Sequence, residues 1–137
     1  MSKKFIIYAD GGSRGNPGPS GIGVIIKEGR KKVKEVFKFI GNTTNNIAEY
    51  SALIIALEEA RTLGATEVVI NLDSELVVKQ LTGEYKVKDP AMKELFEQTV
   101  VVLRDFENFE ICHIEREFNK DADKLVNKAI NLASFFR

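Results

Sequence analysis

The sequence predicts a single α/β domain over residues 1–137, in which a mixed five-stranded sheet packs against helices. Two early strands are joined through Gly29 and Arg30, a short connection typical of an antiparallel hairpin. Strands alternate with helices after that hairpin, as they do where parallel strands are joined by helical crossovers. The resulting order of elements is βββαβααβα, and 137 residues are enough for one domain with its own core.

Glycine and proline mark the ends of the predicted elements. Gly64 ends the first helix, Gly83 ends the second, and Pro90 is tolerated in the first turn of the third. The first strand is almost entirely apolar, so we expect it to be buried on both faces, and a glycine- and proline-rich loop follows over residues 11–19. The predicted strands are Lys4–Gly11, Gly21–Glu28, Lys32–Ile40, Glu67–Leu72 and Phe109–Ile114, and the predicted helices are Asn46–Leu63, Ser74–Leu81, Pro90–Asp105 and Asn119–Phe136.

The composition excludes several classes of protein and site. Cys112 is the single cysteine, which excludes an intramolecular disulfide and a thiolate-rich zinc site. The apolar runs are too short to span a membrane, and the N-terminus lacks the apolar stretch of a signal peptide. We therefore expect a cytoplasmic monomer without a membrane partner.

The charge balance is neutral, with 20 basic and 20 acidic residues, so a polyanionic partner would need a local positive patch. The predicted hairpin over residues 27–38 supplies one candidate patch. The same cations also suit a solvated hairpin whose lysines block edge-to-edge aggregation, and the pattern favours neither interpretation. These cations are Lys27, Arg30, Lys31, Lys32, Lys34 and Lys38.

Two aspartates stand at the ends of apolar strands. Asp10 closes the apolar run of the first strand and Asp73 closes that of the fourth, so the two meet at one edge of the sheet if these strands are parallel neighbours. A carboxylate in such a place is costly to bury unless it is paired or coordinated. Each also has a structural interpretation, since Asp10 can turn the chain into the glycine loop and Asp73 or Ser74 can cap the next helix.

Two further acids lie on predicted helices. Glu49 shares an apolar stripe with Leu53 and its neighbours, yet it also fits a capping box with Asn46 as the N-cap, and the pattern supports both equally. Asp123 lies in the first turn of the last helix beside an apolar stripe. Asp121 meets the same description, so the local pattern does not choose between them.

Acids crowded into one small domain point to a metal-dependent hydrolase. Clustered carboxylates repel one another and need protons or cations to coexist. Oxygen ligands favour Mg2+, with Mn2+ as a substitute. Two such ions about 3.5–4 Å apart can activate water and stabilise the leaving oxygen of a phosphodiester. The sequence offers no rival chemistry, because it has no nucleophile elbow, no P-loop lysine and one histidine.

Four blocks of the sequence resemble the type 1 ribonuclease H family. They occur in the family's order with compatible spacing over nearly the whole chain, and they are Tyr8–Gly18, Thr43–Glu49, Asp73–Glu75 and Asn119–Asn127. The resemblance implies an RNase H-like fold and two-metal endonucleolytic hydrolysis of the RNA strand of RNA–DNA hybrids, leaving 5′-phosphate and 3′-hydroxyl ends. It implies a metal-binding quartet that excludes Asp121 and consists of Asp10, Glu49, Asp73 and Asp123.

The same resemblance implies which residues contact the substrate. Asn16, Asn45 and Asn46 match positions that read the minor groove and the 2′-hydroxyls of the RNA strand. Amide side chains suit this task because a 2′-hydroxyl both donates and accepts hydrogen bonds. Thr44 matches a residue that holds a phosphate of the DNA strand. Glu75 stands where many relatives carry glutamine, which alters one polar contact near the RNA.

The sequence departs from the family pattern in places that bear on substrate binding. The segment from Leu81 to Pro90 leaves no room for the basic handle of longer bacterial relatives, and no N-terminal hybrid-binding domain is expected. We expect Lys86, Lys88 and the hairpin lysines to carry the affinity instead. Glu117 occupies the neighbourhood where some members have a loop histidine, and we predict that it assists the leaving group or a product-side metal.

Two alternatives to a hybrid-specific nuclease remain open from the sequence. One is a nuclease that also acts on double-stranded RNA, which the missing handle leaves open. The other is a catalytically silent module that binds hybrids. The intact acidic quartet argues against the silent module, because its negative charges would repel the phosphate backbone and give no advantage to a protein that only binds.

Overall fold

A mixed five-stranded sheet forms the centre of the computed structural model, which describes residues 2–136. Its strands are β1 Lys4–Ser13, β2 Gly18–Glu28, β3 Lys31–Thr43, β4 Glu67–Leu72 and β5 Asn108–His113. The spatial order is β3-β2-β1-β4-β5; β1, β2 and β3 pair antiparallel, whereas β4 pairs parallel with β1 and β5. The predicted fold class is therefore confirmed. Residues 1 and 137 of the predicted domain lie outside the described part.

Helices cover the two faces of the sheet unequally. They are α1 Asn45–Thr62, α2 Glu75–Leu81, α3 Pro90–Leu103 and α4 Lys120–Ser134, and a 3-10 turn, Arg116–Asn119, precedes α4. The first three helices share one apolar core with the sheet, whereas α4 packs on the other face against β2 and β3. Within residues 2–136, no helix combines the length and apolarity that crossing a membrane requires.

The first strand is buried on one face, so the prediction of burial on both faces was wrong. Phe5, Ile7 and Ala9 are buried against the core under α1, whereas Ile6 and Tyr8 on the opposite face stay half-exposed. The reason is that α4 covers the far end of that face and stops short of these two side chains.

The predicted glycine loop is shorter than expected because the hairpin strands continue through it. Pairing between β1 and β2 extends to Ser13 opposite Ser20, and the amide of Arg14 donates to the carbonyl of Pro19 at 2.8 Å. Irregular structure is left only at residues 14–17. In the same way β3 continues past Ile40 because it pairs with the extended β2.

The start of α1 differs from the sequence prediction. Thr44 is the N-cap, and its Oγ1 accepts a hydrogen bond from the amide of Ile47 at 3.3 Å. Asn46 lies inside the first turn, so its predicted role as N-cap was wrong. Glu49 is consequently too far into α1 to close a capping box, which removes the structural interpretation of that acid.

Two glycines let α1 and α4 approach the sheet closely. A Cβ on Gly11 would lie 2.1 Å from the carbonyl oxygen of Ala48, and a Cβ on Gly23 would lie 2.2 Å from that of Ala122. Residues 48 and 122 immediately precede Glu49 and Asp123. The absent side chains of Gly11 and Gly23 therefore set how near these two acids come to the strands.

The packing at Gly23 can be tested by adding a methyl group. We expect Gly23→Ala to lower the free energy of unfolding by about 1–3 kcal/mol, because α4 must shift away from β2. Urea denaturation measures the loss. The matched control is Gly12→Ala, whose Cβ would meet Val126 Cγ1 at an ordinary 3.4 Å. Equal losses in the two variants would contradict the close approach.

Candidate active site

Three carboxylates meet at the carboxyl edge of the two central parallel strands. Ala9 of β1 is paired with Leu72 of β4, so Asp10 and Asp73 come directly after paired residues. Glu49 joins them from α1, and carboxylate oxygens of the three acids lie within 4.8 Å of one another. Sheet topology therefore brings together three acids that are far apart in sequence.

Asp123 lies beside this group, in the first turn of α4. It lines the same cleft as Asp10, Glu49 and Asp73, which we call the acid cleft, and its charge acts on Asp10. Asp121 is exposed and lines a different groove on the far side of α4. The structure thus separates the two aspartates that the local pattern left equivalent.

Burial and neighbouring charges raise the pKa of two of these acids, Asp10 and Glu49. Burial, followed by the charges of Asp73, Glu49 and Asp123, raises the pKa of Asp10 to about 8. Burial raises the pKa of Glu49 to about 7, against the opposing effects of a hydrogen bond from Ser74 and the positive charge of Arg116. Converging oxygen ligands of this kind fit a hard divalent cation, which removes the repulsion when it binds.

Asn119 connects the acid cleft to the sheet. Its side chain is buried, and Nδ2 donates both to the carbonyl of Ala9 at 3.0 Å and to Oδ2 of Asp73 at 3.3 Å. Among the described residues its Oδ1 has no partner. These bonds fix Asn119 between β1 and Asp73.

The predicted minor-groove asparagines are tied together beside the acid cleft. Oδ1 of Asn16 accepts from the amide of Asn45 at 3.1 Å, and Oδ1 of Asn45 accepts from the amide of Ser13 at 2.8 Å. These bonds use the amide oxygens and leave the Nδ2 groups of Asn16 and Asn45 as donors. Asn45 and Asn46 line the cleft itself, and Thr44 adjoins them as the cap of α1.

Glu75 is exposed at the start of α2, where it pairs with Lys79 at 2.6 Å. The hydrogen bond from Lys79, together with its charge, lowers the pKa of Glu75. Lys79 also lies 5.0 Å from the ring centroid of Tyr85, which anchors the short segment after α2. Glu75 is therefore half of an ion pair at the surface.

Glu117 and Arg116 face different parts of the surface. Glu117 is exposed and lines the groove that also contains Phe118 and Asp121, outside the acid cleft. Its neighbour Arg116 lines the acid cleft, and its charge lowers the pKa of Glu49. The sequence analysis missed Arg116, because nothing in the local pattern shows which way each side chain of a single 3-10 turn points.

Comparison with known proteins gives the family. A family model described as Reverse transcriptase-like matches residues 8–129. The crystal structure of RNase H1 from Halobacterium salinarum superimposes with a TM-score of 0.91 at 40% identity, covering 93% of this chain and 98% of that one. The chain belongs to the ribonuclease H family. The structure of LC11-RNase H1 in complex with an RNA/DNA hybrid matches at 47% identity with a TM-score of 0.90, covering 94% and 98% of the two chains.

Curated relatives in the ribonuclease H family are longer than this chain. A bifunctional protein of Mycobacterium tuberculosis is 41% identical over 133 residues, which are 96% of this chain and 36% of the relative. Ribonuclease HI of Halobacterium salinarum is 42% identical over 125 residues, 90% of this chain and 63% of the relative. The chain thus spans about a third of the first relative and less than two thirds of the second.

The crowded acids should make the stability of the metal-free protein depend on pH. The pKa of Asp10 is about 8 in the folded state and 3.8 as its ordinary value. The folded state therefore binds more protons between these values, and stability falls as the pH rises through this range. We expect the Tm in EDTA to decrease from pH 6 to pH 9, and Asp10→Asn to weaken that decrease. A wild-type Tm that rises over this interval would contradict the argument.

Proposed function

We propose that this protein is an endoribonuclease that hydrolyses the RNA strand of RNA–DNA hybrids and leaves 5′-phosphate and 3′-hydroxyl ends. The observation that carries the proposal is the group of three carboxylates, with oxygens within 4.8 Å of one another, in a cleft that Asn45 and Asn46 also line. The related LC11-RNase H1 was solved with an RNA/DNA hybrid, which supports the choice of substrate. We expect the protein to act as a monomer in the cytoplasm.

The acids of the cleft would hold two Mg2+ ions, with Mn2+ as a substitute. When bound, such ions supply an activated water and stabilise the leaving oxygen of the phosphodiester. The proposed ligands are Asp10, Glu49, Asp73 and Asp123. The hydrogen bond from Asn119 fixes one oxygen of Asp73, so that this carboxylate presents its other oxygen to the cleft.

The residues around the acids would select RNA over DNA. The free Nδ2 donors of Asn16 and Asn45, together with Asn46, can bond a 2′-hydroxyl, which DNA lacks. Thr44 would hold a phosphate of the DNA strand, because its Oγ1 accepts from Ile47 and keeps its own hydrogen to donate. The ion pair with Lys79 lets Glu75 approach the RNA with its charge compensated.

A cleavage assay on matched duplexes tests the proposed function. Labelled RNA–DNA hybrid, double-stranded RNA and double-stranded DNA of one sequence are incubated with the protein in Mg2+, Mn2+ or EDTA. We expect cleavage of the hybrid in either metal and none in EDTA, with Asp10→Asn as the inactive control. Comparable cleavage of double-stranded RNA would show a broader nuclease. Hybrid binding without cleavage would show a silent module.

The last helix offers a matched pair of acids. We expect Asp123→Asn to reduce kcat by at least about a hundredfold, because it removes a charge from the metal-binding cleft. Asp121→Asn should stay close to wild type, since Asp121 lies outside that cleft. Single-turnover cleavage of a blunt hybrid measures both variants. Equal losses would mean that α4 is not the element that completes the site.

The 3-10 turn offers a second pair. Arg116 lines the acid cleft, where its guanidinium can bind a substrate phosphate in a two-pronged contact. We expect Arg116→Ala to lower kcat/KM by about tenfold or more, the cost of one hydrogen bond to a charged group. Glu117→Ala should lower turnover by less, because Glu117 must turn out of the neighbouring groove to assist the leaving group. A larger loss in Glu117→Ala would reverse these roles.

A further inference from the structure

A second groove adjoins the acid cleft on the face of the sheet that α4 leaves partly open. Its floor contains Tyr8 of β1, and its walls contain Lys27 of β2, Phe118 of the 3-10 turn and Lys120 at the start of α4. We call it the aromatic groove. Strand side chains alternate between faces, so Tyr8 lies on the same face as Asp10 and about 7 Å from it along β1. The groove therefore begins one row of side chains away from the acids.

The groove lies where α4 begins. In the antiparallel pair, Asp10 is opposite Gly23 and Tyr8 is opposite Ile25. The first turn of α4 lies against Gly23 and closes the sheet there. In the next row Ile25 is buried, whereas Tyr8 stays half-exposed, with the ammonium of Lys27 5.3 Å from its ring centroid. A strand of nucleic acid that passes through the acid cleft thus reaches the aromatic groove within a few nucleotides.

Phe118 is an exposed aromatic side chain on a rigid support. Its side chain is 67% exposed, although its amide donates to the carbonyl of Glu115 at 2.9 Å and the next residue, Asn119, is buried. Asn119 is bonded to Ala9 and Asp73, so the backbone that carries the ring is held beside the acid cleft. A ring on a fixed backbone loses less conformational freedom when it stacks on a base.

The charges of the groove favour a polyanion. Lys27 and Lys120 line it. A neighbouring groove between the hairpin and α4 shares Lys27 with it and is also lined by Arg30 and Lys124. Within residues 2–136 these four cations take part in no ion pair, whereas Lys32 and Glu35 nearby pair with each other. Glu117 and Asp121 are the two remaining acids, so the positive charges are in excess.

We propose that the aromatic groove binds the RNA strand where it continues as a single strand beyond the hybrid in the acid cleft, with a base stacked on Phe118. The inference rests on the proposed function, because it takes the RNA as the strand that passes the acids. Exposed aromatics combined with lysines are the usual means of holding single-stranded nucleic acid without sequence preference.

Substrates that differ only in their ends test the proposal. The same hybrid is prepared in four versions. One is blunt, one has a 5′ RNA overhang, one has a 3′ RNA overhang, and one has an overhang of the DNA strand. We expect one RNA overhang to lower the KM of the wild-type protein. Phe118→Ala should raise the KM for that substrate by about fivefold or more, the cost of losing one stacked base, and leave the blunt hybrid unchanged.

A matched control and a charge series sharpen the test. Phe109→Ala removes a ring that is 50% exposed on β5, outside the groove, and should behave as wild type on every substrate. Lys27→Ala and Lys120→Ala should weaken the effect of the overhang and its dependence on salt. Asp121→Asn should strengthen it, because it removes a negative charge from the groove.

Binding without catalysis separates this inference from the proposed function. Fluorescence anisotropy in EDTA with a labelled single-stranded RNA oligomer should show weaker binding by Phe118→Ala than by Phe109→Ala, with equal Tm values in both variants. Equal binding by the two variants, an overhang without effect on KM, or an effect confined to the DNA overhang would overturn the proposal. Failure to cleave even the blunt hybrid would instead reject the proposed function.

Discussion

The mutual repulsion of the acid-cleft carboxylates is the interaction that the surrounding structure has to oppose. The parallel pairing of β1 with β4 brings Asp10 and Asp73 together at one edge of the sheet. The absent side chains of Gly11 and Gly23 let α1 and α4 come close enough to add Glu49 and Asp123. The rest of the fold stabilises this arrangement through the buried core under α1, which is large compared with the repulsion of a few charges. A cation bound among these carboxylates would reduce their repulsion, and its binding would therefore stabilise the folded state.

The unequal covering of the sheet explains where the functional surfaces lie. Three helices pack on one face, and α4 is the helix that packs on the other. The start of α4 therefore forms a boundary, with the acid cleft on one side and the aromatic groove on the other. The 3-10 turn at this boundary divides its side chains between the two, since Arg116 lines the cleft and Phe118 lines the groove. Asn119 fixes the turn to the sheet, so both surfaces share one rigid support.

A neutral chain can bind a polyanion because its charges are unevenly arranged. The 20 basic and 20 acidic residues cancel in number, yet four acids are drawn into one cleft and Lys79 compensates Glu75 at its edge. Unpaired cations remain along the hairpin and the start of α4. Of the hairpin cations, Lys27, Arg30 and Lys32 line the surface beside α4, whereas Lys34 pairs with Glu59 of α1.

The sequence by itself determined the order of elements, the mixed sheet and the bounds of β4, because periodicity and glycine or proline stops are local properties. It did not determine the N-cap of α1, since Thr44 and Asn46 are both good caps; in the structure Thr44 is the cap, and its side chain accepts from the amide of Ile47. Local pattern likewise left Asp121 and Asp123 equal; family resemblance chose Asp123, and the structure places it in the acid cleft. The position of Arg116 in the acid cleft and the hydrogen bonds of Asn119 are seen only in the tertiary structure. The directions of these side chains depend on what lies opposite the 3-10 turn, which for Asn119 includes the carbonyl of Ala9, 110 positions away in sequence.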